Sequence, residues 1–111
     1  MALAYQHLWG YRWVNAGFQE WSREFLAKLA ELGTAPGGTV VTPNPEIVIL
    51  AEQNPDLKQV LRQARYCLPD GIGLVWASRF LGHPLRGRLA GSDTVEALLP
   101  QFRGRLFLWG G

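Results

Sequence analysis

The sequence predicts an α/β domain with a largely parallel sheet. Short apolar runs rich in β-branched residues alternate along the chain with segments whose apolar residues recur at helical spacing. Several helical segments also begin at a residue that favours a helix start, such as Asn44, Asn54 or Asp93. This alternation is typical of parallel strands joined by crossover helices.

The composition limits the class of protein. The 111 residues, 48% hydrophobic and 18% charged, suffice for one small domain and argue against disorder. The net charge is +2 and the arginines are scattered from Arg12 to Arg105, so no nucleic-acid partner is expected. Cys67 is the only cysteine, which excludes an internal disulfide and fits a reducing cytoplasm. Because there is no signal-peptide pattern and no apolar run of transmembrane length, we expect any membrane contact to be peripheral.

The first predicted elements are a strand and a long helix. The segment HLWGYRWV, His7–Val14, predicts a strand or a short hairpin that pivots at Gly10. The next segment, GFQEWSREFLAKLAELG, predicts a helix with Glu20 in its first turn and Gly33 just beyond its last. The apolar residues that recur at helical spacing in this segment are Phe18, Trp21, Phe25, Leu29 and Leu32.

Two prolines interrupt the β-branched segment VVTPNPEIVIL. A central strand does not tolerate proline, so only a short strand over Thr39–Thr42 is expected. Asn44 suits an N-cap, Pro45 the first helical position and Glu46 the positive end of a helix, so the second half of the segment is predicted to be helical. The sequence NPD at 54–56 starts a further helix in the same way. The expected apolar faces are Ile47, Leu50 and Ala51 in the first helix, and Leu57, Val60, Leu61 and Ala64 in the second.

The alternation continues through the middle of the chain. The segment YCL at 66–68 predicts a short strand that runs into the sequence PDG. Residues 72–81, IGLVWASRFL, then predict a helix closed by Gly82, and residues 83–91 predict an irregular loop.

A last helix and a last strand complete the predicted order. Asp93 is expected to be a plain N-cap, in a D-x-x-E capping box with Glu96, of a short helix that Pro100 ends or kinks. The segment RLFLWGG, 105–111, predicts an apolar core strand, at which the chain stops. The expected architecture is therefore a Rossmann-like layered domain, truncated after a core strand.

Several chemistries lack the residues they need. The sequence DGIG has no third glycine of the dinucleotide fingerprint, because Trp76 stands there; a P-loop is absent, and Ser92 lacks the nucleophile elbow. There is no D-x-D and no His/Glu cluster. Neither a metal nor a cofactor is therefore expected.

The candidate site residues follow predicted strands. In parallel sheets, ligands bind outside the carboxyl ends of strands and beside helix starts. Thr42, Asn44 and Asp70 are all predicted to lie at such positions. From the pattern alone each keeps a structural alternative: a strand end, a cap and a turn residue. For Arg88 the alternative is an exposed surface arginine without a role in binding. The tryptophans on apolar helical faces, expected in the core rather than stacked on a sugar, are Trp21 and Trp76.

The motifs resemble, as a set, one family of bacterial enzymes. The segments TPNPEIVILAEQNPDL, LPDGIGLVWASRFLGHPLRGRLAGSD and LFLWGG closely resemble the WecG/TagA/CpsF glycosyltransferases, and LWGYRWVNAGFQEW resembles their first strand and helix more loosely. Each motif alone is weak; in this order they are specific, and together they cover nearly the whole chain.

The resemblance implies an inverting, UDP-sugar-dependent hexosyltransferase of cell-envelope biogenesis. Such enzymes transfer N-acetylmannosamine, or its uronic acid, to N-acetylglucosamine on undecaprenyl diphosphate. Their products enter teichoic acid, enterobacterial common antigen or capsule-type polysaccharide biosynthesis. The implied location is cytoplasmic, peripheral to the inner face of the bacterial membrane. The family is not known for a D-x-D metal motif, in agreement with this sequence.

The resemblance also assigns roles to the four candidate residues. Asp70 is implied as the general base that takes the acceptor hydroxyl's proton. Thr42 and Asn44 are implied to hydrogen-bond and orient a sugar. Arg88 is implied to offset the charge of a diphosphate, which suits a guanidinium.

The chain is shorter than the family pattern. It resembles the N-terminal, acceptor-side half, 1–111, and lacks the nucleotide-binding half and the basic C-terminal segment for the membrane. We therefore expect this chain alone to be inactive, and a homo-oligomer or aggregate to form through its open last strand. The alternative is a non-catalytic, truncated module that binds a glycan or a partner protein.

Overall fold

The computed structural model describes residues 3–32, 38–98 and 100. Within them, strands and helices alternate as predicted, which confirms a mixed α/β fold. The elements in chain order are β1 (Tyr5–Leu8), β2 (Tyr11–Val14), α1 (Phe18–Leu32), β3 (Val40–Val41), α2 (Pro45–Glu52), α3 (Pro55–Gln63), β4 (Tyr66–Cys67), α4 (Ile72–Phe80) and α5 (Gly91–Leu98). The predicted strand at 105–111 and the predicted cap at Gly33 lie outside the described residues.

The described strands form one open, mostly parallel sheet in the order β1-β2-β4-β3. β1 and β2 are the predicted hairpin, and Trp9 and Gly10 at its turn have φ of 57° and 84°. Two residues with positive φ are what a tight hairpin turn requires. β4 pairs in parallel with both β2 and β3. The predominance of parallel pairing is thus confirmed, whereas the finer Rossmann-like assignment stays a prediction.

The two NP sequences start helices as predicted. Asn44 Oδ1 accepts a hydrogen bond from the Ile47 backbone N–H at 2.9 Å, and Asn54 Oδ1 accepts one from Leu57 at 3.1 Å. Each proline occupies the first turn, where its missing N–H has no helical partner. Because of the cap at Asn44, the segment that follows it forms helix α2, although its β-branched residues suggest a strand.

Two residues of the predicted apolar faces are exposed. Leu50 is 58% and Val60 53% exposed, whereas Ala51 and Leu61 are buried. Each helix is only two turns long and packs a narrow face on the core, so the residue one position before the buried one points sideways. The prediction was therefore wrong for Leu50 and Val60.

Two further expectations are corrected by the structure. Trp21 is fully buried, as predicted, but Trp76 is 69% exposed because α4 buries its opposite side. Asp93 is not an N-cap, since α5 begins at Gly91 and the Thr94 backbone N–H already donates to Ala90 O at 3.1 Å. The helix ends at Leu98, which agrees with the stop expected from Pro100.

Helices cover both faces of the sheet. On one face, side chains from α2, α3 and α4 pack on Trp13 and Cys67 of the strands. On the other, α1 packs on Tyr66, and the Trp21 indole N–H donates to Thr94 Oγ1 of α5 at 3.1 Å. β4 is thereby held between two layers and is buried throughout, whereas His7 of β1 and Arg12 of β2 are exposed. No helix in the described part of the chain is both long and apolar enough to span a bilayer.

Candidate active site

The carboxyl ends of β3 and β4 stay paired beyond the strands. The Leu68 backbone N–H donates to Val41 O at 2.9 Å, and the Asp70 N–H donates to Pro43 O at 3.2 Å. Both Pro43 and Pro69 are fully buried, which anchors the two segments against the core. This pairing brings the segment carrying Thr42 and Asn44 alongside the segment carrying Asp70.

A third segment completes the edge. The Leu89 backbone N–H donates to Pro69 O at 2.8 Å, so the loop before α5 runs beside the end of β4. This places Arg88 Nε 3.5 Å from Asp70 Oδ1, with the two side chains 54% and 32% exposed. An exposed ion pair of this kind adds little stability, so its interest is its position: a carboxylate and a guanidinium face solvent together.

Helix α5 begins directly against Thr42. A Cβ atom on Gly91 would lie 3.1 Å from Thr42 Cγ2 and 3.2 Å from Thr42 Oγ1, which is closer than side chains normally pack. Only glycine allows this approach without a shift. Sequence reasoning did not single out Gly91; the available indication was a glycine immediately before a predicted helix.

Helix α4 begins against the start of α2. Gly71 has φ of 130°, and a Cβ there would lie 3.2 Å from Pro45 Cδ and 4.0 Å from Asn44 Cβ. This backbone conformation strongly favours glycine. The starts of α2, α4 and α5 therefore converge around Thr42, and their N-terminal N–H groups favour negative charge.

The loop that carries Arg88 is held by residues far away in the sequence. The Arg86 backbone N–H donates to Asn15 Oδ1 at 2.7 Å, and Arg86 Nη1 lies 2.7 Å from Glu20 Oε1. Ser78 is fully buried, and its Oγ accepts from the Leu85 N–H at 2.9 Å. Sequence reasoning missed Asn15 and Ser78, because nothing local indicates contacts across such separations.

The arrangement can bind and deprotonate a polar ligand. The Asn44 side-chain oxygen is engaged in its cap, so its Nδ2 group is what it can offer to a ligand. Asp70 presents carboxylate oxygens and Arg88 a guanidinium on the same exposed edge. Cys67 lies three residues before Asp70, in β4. It is not a nucleophile, because burial raises the pKa of its thiol to about 12.

The described residues contain no cluster of metal ligands at this edge. Within 3–32, 38–98 and 100, no three His, Cys, Asp or Glu side chains group as metal ligands. Two open depressions, of about 270 and 480 Å³, lie elsewhere, against the start of β4 and along α3. The four predicted site residues thus gather on an open rim at the end of the sheet.

Comparison with known proteins shows which family the chain resembles. The profile of the glycosyl transferase WecG/TagA/CpsF family matches residues 7–111. A similar curated protein is the N-acetylglucosaminyldiphosphoundecaprenol N-acetyl-beta-D-mannosaminyltransferase of Bacillus spizizenii, 46% identical over 77 residues, which are 67% of this chain and 30% of that protein. The Bacillus subtilis protein of the same name is 39% identical over the same shares. The Staphylococcus aureus protein is 38% identical over 60 residues, 54% of this chain and 24% of that protein. The chain therefore spans less than a third of the length of these relatives.

Proposed function

The chain belongs to the WecG/TagA/CpsF family of glycosyltransferases, and we propose that it forms the acceptor-activating part of an inverting sugar transferase. The proposed donor is UDP-N-acetylmannosamine, or the corresponding uronic acid. The proposed acceptor is N-acetylglucosamine on undecaprenyl diphosphate, the substrate that the name of the relatives describes. The reaction would take place at the inner face of the cytoplasmic membrane, in teichoic acid or related cell-surface polysaccharide synthesis.

The observation that carries the proposal is the meeting of Asp70 and Arg88 on the rim beside Thr42 and Asn44. Three separate segments deliver these side chains, and backbone hydrogen bonds hold the segments together. An aspartate that only shapes a turn does not need an arginine from another segment 3.5 Å from its carboxylate.

Asp70 is proposed as the general base. As the acceptor hydroxyl oxygen bonds to the anomeric carbon of the donor, its proton passes to the Asp70 carboxylate. The bond from that carbon to the UDP oxygen breaks on the opposite side, UDP leaves with the bonding pair, and the anomeric centre inverts. General-base assistance of this kind typically contributes about 10²–10⁴ in rate.

The neighbouring residues are proposed to position the reactants. Arg88, half exposed beside Asp70, offers a guanidinium fork to the diphosphate charge. Thr42 Oγ1 and the Asn44 Nδ2 group offer hydrogen bonds to sugar hydroxyl or acetamido groups. The converging helix starts add partial positive charge on the same side. We propose that most donor nucleotide contacts come from the part of the relatives' length that this chain does not match.

A transfer assay tests the function directly. The full-length protein would be offered a panel of UDP-sugars together with a lipid-linked N-acetylglucosamine diphosphate acceptor. The proposal expects transfer from UDP-N-acetylmannosamine or its uronic acid, with inversion seen by NMR of the new glycosidic bond. Acceptor binding without any transfer would favour the alternative, a non-catalytic binding module.

A further inference from the structure

Helix α4 turns an apolar face outward. It buries Leu74, Val75 and Ser78 against the core. On the other side, Ile72, Trp76 and Phe80 are 59%, 69% and 92% exposed. These three are spaced four residues apart, so they form one continuous row along the helix. Large aromatic side chains exposed to this degree in a row usually mark a contact surface.

The sequence of this helix and of the loop after it contains basic residues and no acidic ones. From Gly71 to Ser92 the sequence contains three arginines and a histidine but no aspartate or glutamate. Arg79 follows Trp76 by three residues and therefore lies on the same side of α4. Arg86 and Arg88 contact Glu20 and Asp70, yet their side chains remain 56% and 54% exposed.

Other exposed apolar residues are in a different electrostatic setting. On α2, Ile49 and Leu50 lie three and four residues after Glu46. On α3, Val60 lies four residues after Asp56, on the same helix face. Helix α2 carries Glu46 and Glu52 and no basic residue, and α3 mixes Asp56 with Lys58 and Arg62, whereas α4 carries Arg79 and no acidic residue. An anionic partner is therefore favoured at α4 by charge as well as by exposure.

We propose that the outward face of α4, formed by Ile72, Trp76, Arg79 and Phe80, binds the surface of an anionic lipid bilayer. Tryptophan and phenylalanine favour the headgroup boundary, and arginines on the same face are attracted to acidic headgroups. The apolar row with Arg79 beside it satisfies both requirements. This surface is separate from any attachment through other parts of the protein.

The consequence for the site deepens the proposed function, on which this step rests. Asp70 lies two residues before Ile72, the first residue of α4, so the rim adjoins the N-terminal end of this helix. A bilayer against the α4 face places Asp70 and Arg88 at headgroup level. There a lipid-linked acceptor presents its diphosphate and first sugar.

Vesicle flotation tests the surface without any substrate. The protein is mixed with phosphatidylcholine vesicles, with and without phosphatidylglycerol. We expect binding to the anionic vesicles, weakened by salt, and about tenfold or more weaker in Trp76→Ser/Phe80→Ser. Arg79→Gln is expected to weaken binding about fivefold and to reduce its salt dependence. Because all three side chains are exposed, thermal melts of the variants should match wild type.

Val60→Ser on α3 is the matched control, since it removes a similarly exposed apolar side chain beside an acidic residue. It should leave vesicle binding unchanged. The proposal is overturned if Trp76→Ser/Phe80→Ser floats like wild type, or if Val60→Ser weakens binding equally. A dimer that Trp76→Ser/Phe80→Ser dissociates, without vesicle binding, would also overturn it and assign the face to a second copy.

Failure of this proposal and failure of the proposed function are distinguishable. If the function is right and the surface wrong, Trp76→Ser/Phe80→Ser transfers sugar normally to acceptor embedded in vesicles. If the surface is right, that variant loses transfer to the embedded acceptor but keeps it with a short-chain, water-soluble one. Vesicle binding that persists in a protein without any transferase activity would retain the surface and reject the function.

Discussion

Gly91 and Thr42 pack so closely that no side chain fits between the start of α5 and the end of β3. A Cβ on Gly91 would approach Thr42 Cγ2 to 3.1 Å, so Thr42 must shift by a few tenths of an ångström to accept one. Two elements far apart in the sequence thereby fix the position of one proposed sugar-binding hydroxyl.

Gly91→Ala should therefore lower turnover while leaving the fold intact. Alanine is a better helix former than glycine, which offsets part of the cost of displacing Thr42, so the net change in stability should be small. We expect a several-fold loss of kcat/KM in a transfer assay, because misplacing a positioning group by a fraction of an ångström is costly. Gly87→Ala is the control, since a Cβ there meets no atom within 4 Å. Equal activities of the two variants would contradict a role for the Thr42 position.

The two asparagine caps separate stability from function. Asn54→Ala should cost about 1 kcal/mol in the free energy of unfolding, with no loss of activity. Asn44→Ala should cost a similar amount and also reduce activity. Asn44→Asp keeps an equally good cap but replaces the proposed sugar donor with a charge, so denaturation should be near wild type while turnover falls. A fully active Asn44→Asp would leave Asn44 only its role as a cap.

Asn15 is expected to act on the site through the Arg88 loop. Its Oδ1 accepts from the Arg86 N–H at 2.7 Å and its Nδ2 donates to Pro84 O at 3.4 Å. Asn15→Ala should raise the acceptor KM more than it lowers kcat, because Arg88 loses its fixed approach to the diphosphate. Asn15→Asp keeps the accepting oxygen and should restore most of the affinity. A purely structural role would instead show equal effects of both variants.

Burial of Cys67 predicts alkaline destabilisation. The thiol pKa is raised from its ordinary 9.0 to about 12, because burial disfavours the thiolate. Between these values the unfolded chain binds fewer protons than the folded one, so the free energy of unfolding falls as pH rises through this window. The slope from this group approaches about 1.4 kcal/mol per pH unit. Denaturant titrations should show that the free energy of unfolding falls less steeply with pH in Cys67→Ala than in wild type. The pH dependence that remains in the variant is expected from Tyr11 and Tyr66, whose pKa values burial also raises.

How much the sequence could predict depends on the range of the interaction. The caps at Asn44 and Asn54 were predictable because donor and acceptor lie three residues apart. Trp76 was not, because helical periodicity shows an apolar face without showing whether the sheet or the solvent receives it. The prediction that Asp93 caps α5 was wrong because the helix begins earlier, at Gly91. Gly91 packs there against Thr42, a contact with a residue far away in the sequence that no local pattern indicates.

The candidate site divides in the same way. Residue pattern alone placed Thr42, Asn44 and Asp70 after strands, and the parallel pairing of β3 with β4 brings their segments together. Arg88 came only from the family resemblance, because nothing local indicates that a loop residue reaches Asp70. Asn15 and Ser78, which hold that loop, were missed for the same reason.

The most direct test of the account is the turnover of Asp70→Asn in the full-length protein, with UDP-N-acetylmannosamine and a lipid-linked N-acetylglucosamine acceptor. Asp93→Asn, an exposed aspartate in the first turn of α5, is the control and should behave like wild type. The account predicts a kcat lower by about 10²–10⁴ in Asp70→Asn, with donor binding and thermal stability nearly unchanged. Turnover of Asp70→Asn equal to that of the control would contradict the general-base role and return Asp70 to a turn residue.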